Sequence, residues 1–336
     1  MRAFVVRAPF DAGVEDVPEP AAEPGEVVVD VHRAGVCGTD VELFTGEMAY
    51  LQDGHAAFPL RIGHEWMGTV TALGDGVDRR WLGRRVTGDT MLGCGVCGRC
   101  RSGRQHVCAF RTEIGVRDGR PGALAERVAV PARALLALPD AVDEALGALV
   151  EPGGNAVRAV RAAALRPGDR ALVLGPGTIG LLVALFARAA GAEVHVLGVT
   201  ERSLAFARTL GLDGVWGPGE SPDLPWDAVI DASTDPGVPG EAVRLVEPGK
   251  RVVLIGVAGS RSPIDSRELV LKDVTAVGVL SASGGLQEAI DAYATGAVDP
   301  RPLVAATVPL DGVAAVLAGE RPADAGNGPK AHVAIR

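Results

Sequence analysis

The stretch RALVLGPGTIGLLVALFARAAGAEVHVLGVTERS, residues 170–203, decides how this chain is read. An apolar strand, RALVL, runs into Gly175-x-Gly177-x-x-Gly180, a long apolar helix follows, and a second apolar strand, EVHVL, closes the unit. A bare GxGxxG means little, but one that leaves a strand and opens a helix within about 30 residues is a dinucleotide fingerprint. Gly175 permits the tight turn, Gly177 lets the backbone approach a pyrophosphate, and Gly180 allows close helix–strand packing. Thr178 and Ile179 open the helix, whose N-terminus is suited to the diphosphate.

Reading outward, further apolar strands alternate with Ala-rich helices: DAVIDAS, RVVLIGV and DVTAVGVL follow in turn. Alternation of this kind means a parallel sheet covered on both faces. Upstream of about residue 150 the texture differs, with short β-type segments such as AFVV, EVVVDV and GTVTAL set between Gly, Pro and acidic turns. After residue 285, LQEAIDAYATG reads as a helix and AHVAIR as a strand. This tail does not extend the alternation and is expected to return to the first domain. The expected organisation is therefore 1–152 with 286–336 as a β-rich domain, and 153–285 as a doubly wound nucleotide domain. No repeat of 20 to 50 residues is present.

The second strand of a dinucleotide unit usually ends in Asp or Glu, which holds a ribose with a free 2′-hydroxyl. Here that position is Gly198, followed by Val199, Thr200, Glu201, Arg202 and Ser203. Without the carboxylate nothing repels a 2′-phosphate, and Thr200, Arg202 and Ser203 are suited to binding one. NADP is expected to be favoured over NAD, with Val199 and Glu201 as the features that oppose it.

Four of the five cysteines, Cys94, Cys97, Cys100 and Cys108, fall in GCGVCGRCRSGRQHVC, residues 93–108. The spacing C-x2-C-x2-C-x7-C lets one loop wrap a tetrahedral ion with four thiolates and leaves no position for a substrate, which describes a structural zinc. Gly93, Gly95, Gly98 and Gly103 are expected to supply the permissive backbone angles. Disulfides and an iron–sulfur cluster compete with this reading, but the loop lacks common ferredoxin spacings. His106 reads as a solvated residue rather than a ligand. An odd cysteine count with CxxC spacing fits metal binding in a reducing compartment.

The fifth cysteine, Cys37, lies in AGVCGTDVE, and RIGHEWMG with His64 and Glu65 follows 27 residues later. Thiolate, imidazole and carboxylate are all zinc ligands. The full run G-H-E-x2-G-x5-G-x2-V, with Gly63, His64, Glu65, Gly68, Gly74 and Val77, makes the trio informative.

On these residues, together with the cysteine loop and the glycine turn in the same order, the chain resembles the zinc-dependent medium-chain alcohol dehydrogenases over essentially all 336 residues. The resemblance implies an α/β protein: a GroES-like β-rich catalytic domain carrying two zincs, and a Rossmann domain, with the active site between them. It implies that Cys37 and His64 bind a catalytic zinc. Glu151, in LVEPGGNAV, matches the segment through which the sorbitol and polyol branch supplies a third ligand; its plain alternative is an acid favoured at a helix start. Glu65 is expected near the ion, as an outer partner or an exchanging ligand. Thr39 matches the hydroxyl that bonds the substrate oxygen and relays its proton, and Asp40 the carboxylate that orients the zinc-bound histidine. Many members carry a histidine five residues after the ligand cysteine where this chain has Glu42. Either Glu42 takes the proton, or His55 or a water chain does.

The expected activity is reversible hydride transfer between a secondary alcohol of polyol, sugar or aminocyclitol type and NAD(P). The alternatives are a dehydrogenase of simple secondary alcohols and a noncatalytic zinc- and nucleotide-binding sensor. The sensor would not need Cys37, Thr39, His64 and Glu151 together. A net charge of −9 with no basic run argues against a nucleic-acid partner. Arg7 interrupts the apolar N-terminus, so no signal peptide is read there. The longest uncharged run, 171–187, is broken by GPG and is too short to span a membrane. A small-molecule alcohol or ketone is the expected partner, in a cytoplasmic homo-dimer or homo-tetramer.

Overall fold

The six apolar runs after residue 169 pair side by side into one parallel sheet, which the computed structural model shows with strands Gly214–Trp216, Glu193–Leu197, Arg170–Leu174, Trp226–Asp231, Val246–Leu254 and Thr275–Gly278 in that spatial order. The structure describes residues 1–335. Counted along the chain, the order is 3-2-1-4-5-6, the doubly wound arrangement, whose ligand crevice lies beyond the carboxyl ends of the central strands. The strands are apolar throughout because helices cover them: Leu172, Leu174, Val229 and Val252 pack with Trp226, Ala242 and Val243 in one buried cluster. Helix Thr178–Ala189 is buried from Gly180 to Ala187, which explains its lack of a polar face.

The chain divides into two compact units, Met1–Glu151 with Leu286–Gly326 and Lys330–Arg336, and Pro152–Gly285 with Asn327–Pro329. The first unit is built on a mixed sheet of strands Leu135–Ala137, Arg85–Gly88, Glu65–Leu73, Glu26–Val36, Lys330–Ala334 and Val304–Pro309, with Arg127–Pro131 also paired to Glu26–Val36. Alternation places Val27, Val29 and Val31 on one face, against Trp66, Val70, Val86 and Val128. Where Glu26–Val36 ends, its register sets Gly35 opposite Glu65 on one side and His332 on the other, and Ala331 opposite Val36. The C-terminal strand thus runs beside the strand that leads into Cys37, and the strand that follows His64 lies on that strand's other side.

Candidate functional site

Cys37 directly follows strand Glu26–Val36 and caps helix Gly38–Thr45. Asp40, fully buried in the first turn of that helix, accepts the Cys37 N–H through Oδ2 at 2.8 Å and the Gly63 N–H through Oδ1 at 3.1 Å. One carboxylate therefore fastens the backbone of the cysteine segment to that of the GHE segment. Its Oδ1 lies 3.6 Å from His64 Nδ1, beyond hydrogen-bond range but close enough to hold the imidazole electrostatically. The result is a cluster: ligand atoms of Cys37, His64 and Glu65 all lie within 4.8 Å of one another. Burial opposes a charge on His64, yet Asp40 and the Cys37 sulfur outweigh it and raise the affinity of the ring for a proton. The same negative groups favour a bound cation.

Glu65 is buried and forms an ion pair with Lys330, whose Nζ also donates to the Val36 carbonyl at 2.8 Å. Burial works against the Lys330 charge, but Glu65, Cys37 and Asp40 hold its pKa above the ordinary lysine value. Gly35 must stay small for this arrangement, because a Cβ there would lie 2.1 Å from Glu65 Oε2 and 3.0 Å from Lys330 Cε. Lys330 was not singled out in the sequence: a lysine ahead of a short apolar strand is usually solvated, and no local signal marks this one. Glu151 is buried in the first turn of helix Val150–Ala163 and is not a member of the Cys37 cluster. Thr39 is half-buried on the Cys37 helix. Glu42, on the same helix, has its pKa raised by burial and by Glu47.

The four clustered cysteines are free thiols, which removes the disulfide reading. Cys94 Sγ lies 3.9 Å from Cys100 Sγ, and Cys97 Sγ lies 3.8 Å from Cys108 Sγ. A tetrahedron with zinc–sulfur bonds of about 2.3 Å has edges of about 3.8 Å, which these two distances match, and all four sulfurs lie within 4.8 Å of one another. Backbone N–H groups of Cys94, Cys100 and Phe110 point at sulfurs from 3.4 to 3.5 Å. The N–H groups of Val96 and Cys97 pull the Cys94 thiol down to about 6, whereas burial pushes Cys100 up to about 11. Four adjoining thiols cannot all ionise unaided, and a divalent cation is what lets them. Gly95 and Gly103 take positive φ as expected, but Gly93 and Gly98 do not. Gly93 is small for another reason: a Cβ would sit 2.6 Å from Cys100 Sγ. His106 is buried rather than solvated, and it lies outside the cysteine set.

In the second unit, a cavity of about 580 Å³ opens at the glycine turn. Gly175, Pro176, Gly177, Gly198, Thr200 and Arg202 line it, as does Ser203. Gly175 has φ +99°, and a Cβ on Gly180 would fall 1.9 Å from the Gly175 oxygen, so turn and helix meet only through glycine. A Cβ on Gly177 would meet nothing, and its face is left open to a ligand. Thr178 and Ile179 form the first turn of the helix with Gly180. Gly198 has a steric reason besides selectivity, since a Cβ there would lie 2.5 Å from Pro176 Cγ. Thr200 caps helix Glu201–Arg208, and its hydroxyl is 2.6 Å from that of Ser203. Glu241, Asn327 and Pro329 also line the cavity and had no signal in the sequence.

Residues 23–140 match the model of the alcohol dehydrogenase GroES-like domain, and residues 178–295 that of the zinc-binding dehydrogenases. The 2-dehydro-3-deoxy-L-galactonate 5-dehydrogenase of Pseudoalteromonas atlantica is 32% identical, over 89% of this chain and 89% of its own length. The chain belongs to the zinc-dependent medium-chain alcohol dehydrogenase family. The L-threonine 3-dehydrogenase of Saccharopolyspora erythraea is likewise 32% identical, over 83% of each chain. An alcohol dehydrogenase of Escherichia coli CFT073 complexed with NADH superposes with a TM-score of 0.91 at 26% identity, over 100% of this chain and 99% of that one. As a member of this family the chain is a zinc-dependent oxidoreductase of alcohols that uses NAD(P). No helix among the described residues is long and apolar enough to cross a membrane.

Proposed function

We propose that this dehydrogenase oxidises a secondary alcohol of a polyol, sugar or sugar-acid type, reversibly, with NADP preferred to NAD. The observation that carries the catalytic reading is the cluster of Cys37, His64 and Glu65, with Asp40 fastening the two segments that bear it. Zinc, when bound there, supplies the Lewis acidity that lowers the pKa of a hydroxyl group towards neutrality. Cys37 and His64 would hold it, Glu151 would complete the set, and Glu65 would stand by, paired with Lys330. Thr39 would accept and pass on the proton of the substrate hydroxyl. Glu42, half-buried and with a raised pKa, would take it next. The polyol type rests on Glu151 and on the relative named for a deoxygalactonate, and the relative named for threonine supports a secondary alcohol.

The preference for NADP rests on Gly198 and on Arg202 at the cavity wall. The chain would act in the cytoplasm as a homo-oligomer. Strand Thr275–Gly278 ends the nucleotide sheet with three of its four residues exposed, and Val270 and Leu271 on the preceding helix are 78% and 84% exposed. An open apolar edge of that kind is a liability unless a second copy covers it. The test of function is a panel of alditols, aldonates, aldoses and simple secondary alcohols assayed for NAD(P)H absorbance. Turnover of polyol-type substrates is expected; turnover of simple secondary alcohols alone would reject the proposed class.

A further inference from the structure

The chain that follows the Cys37 helix meets a hairpin that packs on the His64 segment. The chain after the Cys37 helix brings Tyr50 and His55, and the hairpin that follows Thr112 brings Glu113 and Arg117. That hairpin is clamped to the histidine segment. Ala123 N–H donates to the Gly63 carbonyl at 2.8 Å, and Ile114 N–H to Thr90, whose hydroxyl donates to the His64 carbonyl at 3.1 Å. A Cβ on Gly115 would lie 2.5 Å from Gly63 O. Arg117 is two residues beyond Gly115, at most about 7 Å of chain.

The charges where they meet are unequally satisfied. Glu113 Oε1 accepts from Tyr50 Oη at 3.1 Å and from Arg111 Nε at 2.8 Å, which consumes the Arg111 charge. Arg117 is 7% exposed, yet its carboxylate partner is Asp118, a 39% exposed side chain reached through Nε at 3.2 Å. The Arg117 guanidinium stacks on the Tyr50 ring at 5.2 Å, and its Nη2 lies against the His55 imidazole, at 3.0 Å. A buried guanidinium is costly unless fully paired, and this one lacks an anion on the edge that binds carboxylates two-pronged. The His55 side chain is 42% exposed, its Nδ1 lies 3.5 Å from Asp118 Oδ1, and its ring meets Tyr50 edge-on at 5.9 Å.

We propose that Arg117, with His55 and Tyr50, is the subsite for an anionic group on the substrate, a carboxylate or a phosphate ester remote from the reacting carbinol. This rests on the polyol reading and narrows it to acids or phosphates of polyols. Asp118 holds the guanidinium through Nε and leaves the Nη edge for the incoming anion. Neutral polyols would leave that edge to His55 and gain nothing from it.

The test uses zinc-loaded enzyme with D-glucitol, D-gluconate and D-glucitol 6-phosphate. At least one anionic compound should exceed D-glucitol tenfold or more in kcat/KM, and which one does so tells carboxylate from phosphate. Arg117→Gln should lower that ratio by about tenfold to 100-fold, chiefly through KM, with Arg117→Lys in between. A wild-type ratio near one, or an Arg117→Gln variant that slows all three compounds equally, overturns the proposal. Should none of the three be oxidised, the polyol reading fails, and calorimetric titration of the enzyme with gluconate and inorganic phosphate decides the subsite separately. Anion binding that Arg117→Gln abolishes upholds it; no binding, or binding unchanged in the variant, overturns it.

Discussion

Replacing Lys330 with Met tests whether the ion pair beside the metal cluster has the energetic weight its burial implies. The Lys330 and Glu65 side chains are 2% and 1% exposed, so the variant leaves a carboxylate uncompensated and without water. It also removes the donor to the Val36 carbonyl. Breaking a buried pair from one side costs about 3–5 kcal/mol. In a unit of this size each kcal/mol moves the melting temperature by about 2–4 °C, so metal-free Lys330→Met should melt about 6–20 °C below metal-free wild type. The gap should narrow when zinc is present, since a cation at Cys37 and His64 gives Glu65 another positive neighbour. Adding Glu65→Gln to the variant should restore about 1–3 kcal/mol, because the orphaned charge is gone. Differential scanning calorimetry of the chelated proteins reads all of this. A loss below 1 kcal/mol, or a double variant no more stable than the single one, would refute the reasoning.

His332 is fully buried, both ring nitrogens lack a hydrogen-bond partner, and burial with the Lys330 and Arg33 charges pushes its pKa down to about 3. Unfolded chains take up that proton near pH 6.5, so stability is intact above this value and falls as pH drops towards 3. The loss at pH 5 is about 2 kcal/mol, and His332→Leu should flatten the slope in urea titrations between pH 7.5 and 5. Arg202→Glu should raise KM for NADPH tenfold or more while changing KM for NADH little; equal effects on both would remove Arg202 from the 2′-phosphate site. Gly198→Asp is a poor substitute for this test, because the added Cβ collides with Pro176 and weakens both cofactors. Cys100→Ser should lower thermal stability by several degrees with little change in KM for NAD(P)H, as measured by melting and steady-state kinetics.

What the sequence disclosed was what it encodes locally. The 170–203 unit was legible because strand, turn, helix and strand are contiguous, and each glycine has a backbone reason visible in the spacing. The cysteine loop was legible for the same cause. Asp40 lies 3.6 Å from His64, and its bonds to Cys37 and Gly63 show it holding both backbones, which spacing alone does not reveal. Lys330 was invisible because its partners are far along the chain, Val36 lying 294 positions away, and only sheet register brings them together. Asn327 and Pro329 reach the nucleotide cavity in the same long-range way. Gly198 was read as a missing carboxylate, and the structure adds that Pro176 leaves no room for a side chain.

The central claim is that Cys37 and His64 hold a catalytic zinc separate from the one in the cysteine loop. Metal analysis of wild type, Cys37→Ser and Glu151→Ala, paired with turnover of the same samples, tests it most directly. Two zincs per chain are expected in wild type, one in inactive but folded Cys37→Ser, and a reduced second zinc with matching loss of activity in Glu151→Ala. A Cys37→Ser protein that keeps two zincs and full turnover, or a fully active wild type with one zinc, would contradict the account.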